Sequence, residues 1–102
     1  MKMSPEIAAV RIQRELAALE QSLAEGLERA ASLTATLAKA RSDTDVGVAT
    51  GTDLLMRLAS VQTGLIKANS ETARVHQGLL QIGRELGYFD EFCPPRGLRQ
   101  AA

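Results

Sequence analysis

The sequence has very few of the residues that build catalytic or metal centres, and it has no surplus of charge. It contains one histidine, one cysteine and no tryptophan, and its 12 lysine and arginine residues balance 12 aspartate and glutamate residues. The single cysteine, Cys93, excludes a disulfide within the chain. A formal net charge of zero removes the simplest argument for nucleic-acid binding, which needs a surplus or a stripe of positive charge.

Long hydrophobic runs and targeting signals are missing as well. No apolar stretch approaches the roughly 20 residues that a membrane-spanning helix needs. The first residues, Met-Lys-Met-Ser-Pro, do not have the form of a secretory signal peptide. Together with the lone cysteine, these features lead us to expect a cytoplasmic protein without a membrane span.

Aromatic residues are scarce and occur at one end of the chain. Tyr88, Phe89 and Phe92 are the only three. They have two interpretations: either Phe89 plugs the open end of a helix pair against Ile7 and Val10, or the three form a docking motif for a protein partner. The second interpretation follows from the large share of interface energy that aromatic anchors carry.

What the sequence does contain is two long helical patterns. Ser4 as a cap, Pro5 at the first helical position and Glu6 in the first turn predict a helix from about residue 4. Strong helix formers follow without a proline as far as about residue 41. Apolar or small residues recur there in steps of three and four, at Ala9, Ile12, Leu16, Leu19, Leu23, Gly26, Ala30, Leu33, Leu37 and Ala40.

A turn is predicted at about residues 42–50, and a second helix at about 51–87, before a tail at 88–102. The second helix carries the same spacing, at Leu54, Leu58, Val61, Leu65, Ala68, Thr72, Val75, Leu79, Ile82, Leu86 and Phe89. We call these two series the predicted seams. A connection this short makes the helices antiparallel, so the fold class is all-α, an antiparallel two-helix hairpin in a single domain, 1–102. Pairing the seams brings Gly26 opposite Ala68.

Each helix also carries a second apolar stripe beside its predicted seam. Because a hairpin alone needs only one seam, two adjacent stripes on each helix favour a homodimer that forms a four-helix bundle. The alternative is that the alanines of the stripe are exposed and only favour helix formation. Four large aliphatic residues on the stripe argue against this alternative. The predicted interface residues are Ala17, Ala24, Leu27, Ala31, Leu55, Ile66, Asn69, His76 and Leu80.

The polar residues of this stripe suggest a structural role rather than a catalytic or metal-binding one. Gln62, Asn69 and His76 are spaced by seven, and polar residues repeated in this way fix register and oligomeric state inside helical interfaces. A metal site at His76 would need further ligands at helical spacing, and the chain has no phosphate-binding loop or nucleophile elbow. We therefore expect no enzyme activity, cofactor, metal or small-molecule substrate.

In outline the chain resembles two families of helical hairpins. One is the WXG-type secreted hairpins, but the chain has no tryptophan and its turn lacks their Trp-x-Gly motif. The other is the small plasmid-type RNA-binding hairpin dimers, for which a basic stripe is missing. The chain is therefore assigned to no family, and helical secretion and flagellar chaperones are alike in fold only.

The function expected from the sequence is a non-enzymatic oligomeric interaction protein that acts as a scaffold, adaptor or chaperone through its apolar helix faces. A homodimer is the expected assembly, with a further protein as a second kind of partner. The alternative is a small nucleic-acid-binding regulator that uses Arg57, Arg74 and Arg84 across a hairpin dimer.

Overall fold

The structure, a computed structural model, describes residues 2–47 and 49–87. Helix α1 spans Pro5–Asp43, with 39 residues, and helix α2 spans Thr52–Leu86, with 35 residues. No strand occurs among the described residues. The all-α fold with two helices is confirmed, and each helix begins and ends within two residues of its predicted bounds. The single domain and the four-helix bundle stay predictions.

The start of α1 is held by the predicted cap. The Ile7 amide donates a hydrogen bond to Ser4 Oγ at 3.2 Å, and the Ala8 amide donates to the Ser4 carbonyl at 2.9 Å. The first bond satisfies one of the amides that a helix start leaves without a partner, and the second is the first main-chain bond of the helix.

The connection between the helices runs from Thr44 to Gly51 and depends on left-handed backbone. Asp45 has φ 53° and Gly51 has φ 80°, a region that glycine adopts without strain. Gly51 is followed directly by α2, and its carbonyl accepts the Leu55 amide at 3.0 Å. The start of the second helix, predicted at about residue 51, is thus observed at Thr52.

The chain divides into two compact units. Unit 1 contains Met1–Glu20 and Thr72–Ala102, of which residues 2–20 and 72–87 are described, and unit 2 contains Gln21–Glu71. The helices run antiparallel in each. In unit 2, for example, Thr34 contacts Gln62, while a Cβ built on Gly26, earlier in α1, would meet Leu65, later in α2.

One stripe on each helix faces the other helix, and its positions alternate by four and three. We call it the inward stripe. In unit 1 it consists of Ala9, Gln13, Leu16, Glu20, Thr72, His76, Leu79 and Gly83. In unit 2 it consists of Leu23, Leu27, Ala30, Thr34, Leu37, Arg41, Gly51, Leu55, Leu58, Gln62, Leu65 and Asn69.

The inward stripe corrects the predicted seams. Among the described residues, about half of each predicted seam faces the other helix. The other half is exposed except at Gly26 and Ala68, which are half-buried, and residues of the predicted second stripe, most of them polar, take its place. Leu65 is the nearest side chain to Gly26, with its Cδ2 3.5 Å from a Cβ built there, and the pairing of Gly26 with Ala68 stays a prediction. Each helix is thus rotated about its axis relative to the expectation.

Candidate functional site

A buried polar contact in unit 1 joins His76 and Glu20. His76 Nδ1 lies 3.1 Å from Glu20 Oε2, and the two side chains are 9% and 30% exposed. Burying an imidazole without a hydrogen-bond partner is costly, and the carboxylate removes that cost. The contact is an ion pair only when His76 is protonated. Glu20 was not among the interface residues predicted from the sequence.

A neutral counterpart lies in unit 2. Gln62 Nε2 donates to Thr34 Oγ1 at 2.9 Å, and that hydroxyl donates in turn to the Ala30 carbonyl at 2.8 Å. Glu20 and Thr34 are 14 residues apart on α1, and so are Gln62 and His76 on α2. Both bonds therefore join the helices in the same register. Among the described residues, no buried side-chain nitrogen or oxygen lacks a partner.

A row of large aliphatic side chains lies beside the inward stripe, and we call it the apolar flank. Its members share one position in the seven-residue repeat and are 39% to 55% exposed. The helices are antiparallel, so a two-fold axis perpendicular to both exchanges one helix with the other. Residues at the same repeat position on the two helices of a unit therefore lie on the same side of that unit. The flank consists of Ile12, Leu19, Val75 and Ile82 in unit 1 and of Leu33, Leu54 and Val61 in unit 2.

The opposite side of each unit carries small residues, and we call it the alanine flank. It consists of Ala17 and Ala73 in unit 1 and of Ala24, Ala31, Ala38 and Ala59 in unit 2, all exposed, with Ile66 and Leu80 among them. Ile66 is 57% exposed, while Leu80 is half-buried.

The structure divides the predicted interface residues between these surfaces. Leu27, Leu55, Asn69 and His76 belong to the inward stripe and pack within their own chain. The remaining five lie on the alanine flank: Ala17, Ala24, Ala31, Ile66 and Leu80. Their part in self-association stays a prediction. The apolar flank was missed because its residues had been assigned to the intramolecular seam.

An apolar groove lies in unit 1 between the start of α1 and the end of α2. It has a volume of about 160 Å³ and is lined by four α1 residues from Pro5 to Ile12 and four α2 residues from Leu79 to Leu86. Ile12 and Ile82 belong both to the groove and to the apolar flank. The predicted docking residues Tyr88, Phe89 and Phe92 follow α2 but lie outside the described residues.

Charged groups on the helix surfaces form local pairs four residues apart. The nitrogen–oxygen distances are 3.6 Å for Arg11–Glu15, 2.7 Å for Lys39–Asp43 and 3.1 Å for Arg57–Asp53. All are well exposed, and such pairs contribute little to stability. Arg57, which the alternative function assigned to phosphate binding, thus has a carboxylate beside it.

The described part of the chain contains neither a cluster of metal ligands nor a helix that could span a membrane. Within it, no three histidine, cysteine, aspartate or glutamate side chains come together as metal ligands. Neither α1 nor α2 has a stretch that is long and apolar enough to cross a lipid bilayer. Comparison with protein-family models, with curated proteins and with solved structures finds no match to the chain.

Proposed function

We propose that the chain is a non-enzymatic interaction protein that self-associates, with two copies packing their apolar flanks together in a four-helix bundle. The observation that carries the proposal is the apolar flank itself. Seven leucine, isoleucine and valine side chains at one repeat position are 39% to 55% exposed. Completing the burial of each would contribute about 1 kcal/mol, roughly half the value for full burial.

A second copy is the occupant that the flank fits best. Both helices supply the same kind of residue at the same repeat position, so the surface is self-complementary under a two-fold axis. A chain with zero net charge also brings no overall repulsion to the pairing.

Two glycines beside the apolar flank support close approach of another helix. Gly64 in unit 2 and Gly78 in unit 1 occupy the repeat position next to it on α2, and a Cβ built on either meets nothing within 4 Å. Glycine in a helix interior costs about 1 kcal/mol relative to alanine. Nothing in the described part of the chain requires glycine at these positions, whereas the close approach of a neighbouring helix backbone would.

The proposal is tested by the mass of the protein in solution. Sedimentation equilibrium at micromolar concentration should give twice the chain mass of 10.9 kDa. Leu19→Lys and Val61→Lys, one in each unit, should give the mass of a single chain, because a charged group would be buried without a partner.

Matched controls on the other side are Ala24→Lys and Ala31→Lys, which should leave the dimer intact. Circular dichroism establishes that each variant keeps its helices. A single-chain mass for the unchanged protein would refute self-association. Dimers that survive the flank substitutions but not the alanine substitutions would place the interface on the alanine flank.

A further inference from the structure

The outer edge of the apolar flank carries different charges in the two units. We call this edge the rim; it is the repeat position three residues after each position of the flank, farther from the inward stripe. The charged rim residues of unit 1 are Glu15 and Glu85, and those of unit 2 are Arg29, Arg57 and Glu71. All five are exposed. Unit 1 thus has an acidic rim, whereas the rim of unit 2 has two arginines and one glutamate.

Along α2, the flank and the rim read nearly the same in both directions. The flank row consists of Leu54, Val61, Ala68, Val75 and Ile82, and the rim row consists of Arg57, Gly64, Glu71, Gly78 and Glu85. Reversing the order exchanges valine with valine, glycine with glycine and leucine with isoleucine. It also exchanges Arg57 with Glu85. Two copies of α2 in antiparallel contact therefore bring similar apolar residues together and opposite charges together.

The flank and rim of α1 have the same symmetry. Glu15 and Arg29 lie seven residues to either side of Ser22 on the rim, and Leu19 and Leu33 lie seven residues to either side of the central flank position. That central position is a glycine on α1 and an alanine on α2, each the smallest residue in the middle of its row. Two copies can therefore approach closely at the centre of both rows.

We propose that the two copies pack antiparallel, with α2 of one copy running along α2 of the other and Arg57 beside Glu85 of the second copy. By the same symmetry, Glu15 lies beside Arg29 of the second copy. This inference rests on the proposed self-association through the apolar flank and adds the orientation of the two chains. Charged residues that border an apolar helix contact set the orientation in which helices pair.

The opposite orientation is disfavoured by the charges of unit 1. If unit 1 of one copy met unit 1 of the other, Glu15 and Glu85 of the two copies would come together, and like charges in contact are unfavourable. The antiparallel orientation has one such contact, between Glu71 and Glu71 of the second copy at the centre of the rim. By symmetry it gains two contacts of each opposite-charge kind.

The local partners of the rim charges leave them available to a second copy. Glu15 lies 3.6 Å from Arg11, and Glu85 accepts a hydrogen bond from Gln81 at 3.1 Å. Arg57 has Asp53 beside it, as described above. These contacts are exposed, and exposed pairs of this kind are weak.

A cysteine at the centre of the rim tests the orientation. In a Cys93→Ser background, which removes the native thiol, Glu71→Cys should form a disulfide-linked dimer on mild oxidation, because residue 71 meets its own copy on the two-fold axis. Arg57→Cys is the matched control at the same repeat position, roughly 21 Å away along the helix, and should stay unlinked. A linked Arg57→Cys chain with an unlinked Glu71→Cys chain would overturn the proposal.

Charge reversal tests the contact between Arg57 and Glu85. Arg57→Glu should raise the dissociation constant of the dimer on the order of tenfold, because two contacts of opposite charge become contacts of like charge. Adding Glu85→Arg to the same chain should restore the affinity. Lys67→Glu, the same charge change on the outer surface of α2, is the control and should alter the affinity less than about twofold. Additive losses in the double variant would overturn the proposal.

Sedimentation of the unchanged protein keeps the failure of this proposal distinct from the failure of self-association. A single-chain mass would refute self-association and the antiparallel packing with it. A mass of two chains, together with an unlinked Glu71→Cys variant and an unaffected Arg57→Glu variant, would overturn the orientation alone.

Discussion

The division of side chains between the inward stripe and the apolar flank departs from a simple hydrophobic ranking. Eight leucines lie on the inward stripe, but so do a glutamate, a histidine, a threonine and a glutamine, whereas seven large aliphatic side chains lie on the flank. The difference teaches that the polar residues pack as bonded pairs, Glu20 with His76 and Thr34 with Gln62. A bonded pair fixes register, while an aliphatic flank can accept a partner.

The largest expected effect comes from breaking the more buried pair. His76→Ala leaves the Glu20 carboxylate, 30% exposed, without its cross-helix partner. We expect a loss on the order of 2 kcal/mol in the free energy of unfolding, the usual penalty for a buried polar group left unsatisfied. Urea unfolding followed by circular dichroism measures it.

The control for this prediction is the pair of variants Glu20→Gln and Glu20→Gln/His76→Ala. If the two residues interact, the double variant should lose less than the sum of the single losses. Additive losses would show that the 3.1 Å contact between His76 and Glu20 does not contribute to the free energy of unfolding. These two residues would then not be a bonded pair of the inward stripe.

The next largest effects are expected at Gly64 and Gly78, the two glycines beside the apolar flank. Gly64→Ala and Gly78→Ala should each make the separated chain more stable by about 1 kcal/mol, through helix propensity alone. The same changes should weaken the dimer, because the added methyl groups would hold the partner helix away. Sedimentation and thermal unfolding over a range of concentrations separate the two effects.

The matched control is Ala24→Gly on the alanine flank, which changes helix propensity by the same amount in the opposite direction. It should affect unfolding without a direct effect on association. Stronger association in the Gly64 and Gly78 variants would argue against close approach on the apolar flank.

The neutral pair, Thr34 with Gln62, should contribute less to the free energy of unfolding than the pair of Glu20 with His76. Replacing both partners, with Thr34→Val and Gln62→Leu together, should change the free energy of unfolding by less than about 1 kcal/mol, because no buried group is left unsatisfied. Gln62→Leu alone would lower the free energy of unfolding more than the double change only if it left the Thr34 hydroxyl without a hydrogen-bond partner. Since Thr34 also donates to the Ala30 carbonyl, we expect that single change to be mild.

The smallest effect is expected on the outer surface, away from both stripe and flank. Lys39→Gln removes an exposed pair with Asp43 and should cost no more than about 0.5 kcal/mol. A loss as large as that of His76→Ala would mean that surface charge, and not the bonded pairs, holds the hairpin together.

Much of the fold follows from local signals that can be read in the sequence. Ser4 and Pro5 mark the start of α1, and Gly51 and Gly87 lie just outside α2, because each supplies a cap or a left-handed turn. The seven-residue repeat is visible as well. What the pattern does not give is its phase, since leucines such as Leu16 and Leu65 belong to both possible faces.

The phase depends on contacts between residues far apart in the sequence. Glu20 and His76 are poor core residues one at a time and acceptable ones only as a pair, 56 positions apart. When each helix is considered alone, hydrophobicity therefore favours the aliphatic face, which includes Leu19 and Val75, as the buried face. The same choice of phase placed the predicted interface on the alanine flank, where it stays a prediction.

The central claim is that the apolar flank joins two copies of this chain. Isotope-filtered nuclear Overhauser spectroscopy on an equal mixture of labelled and unlabelled protein tests it most directly. The account predicts intermolecular cross-peaks to the methyl groups of Leu19, Val61 and Val75, and none to those of Ala24 and Ala31. Cross-peaks to the alanine methyls instead, or none between chains, would contradict it.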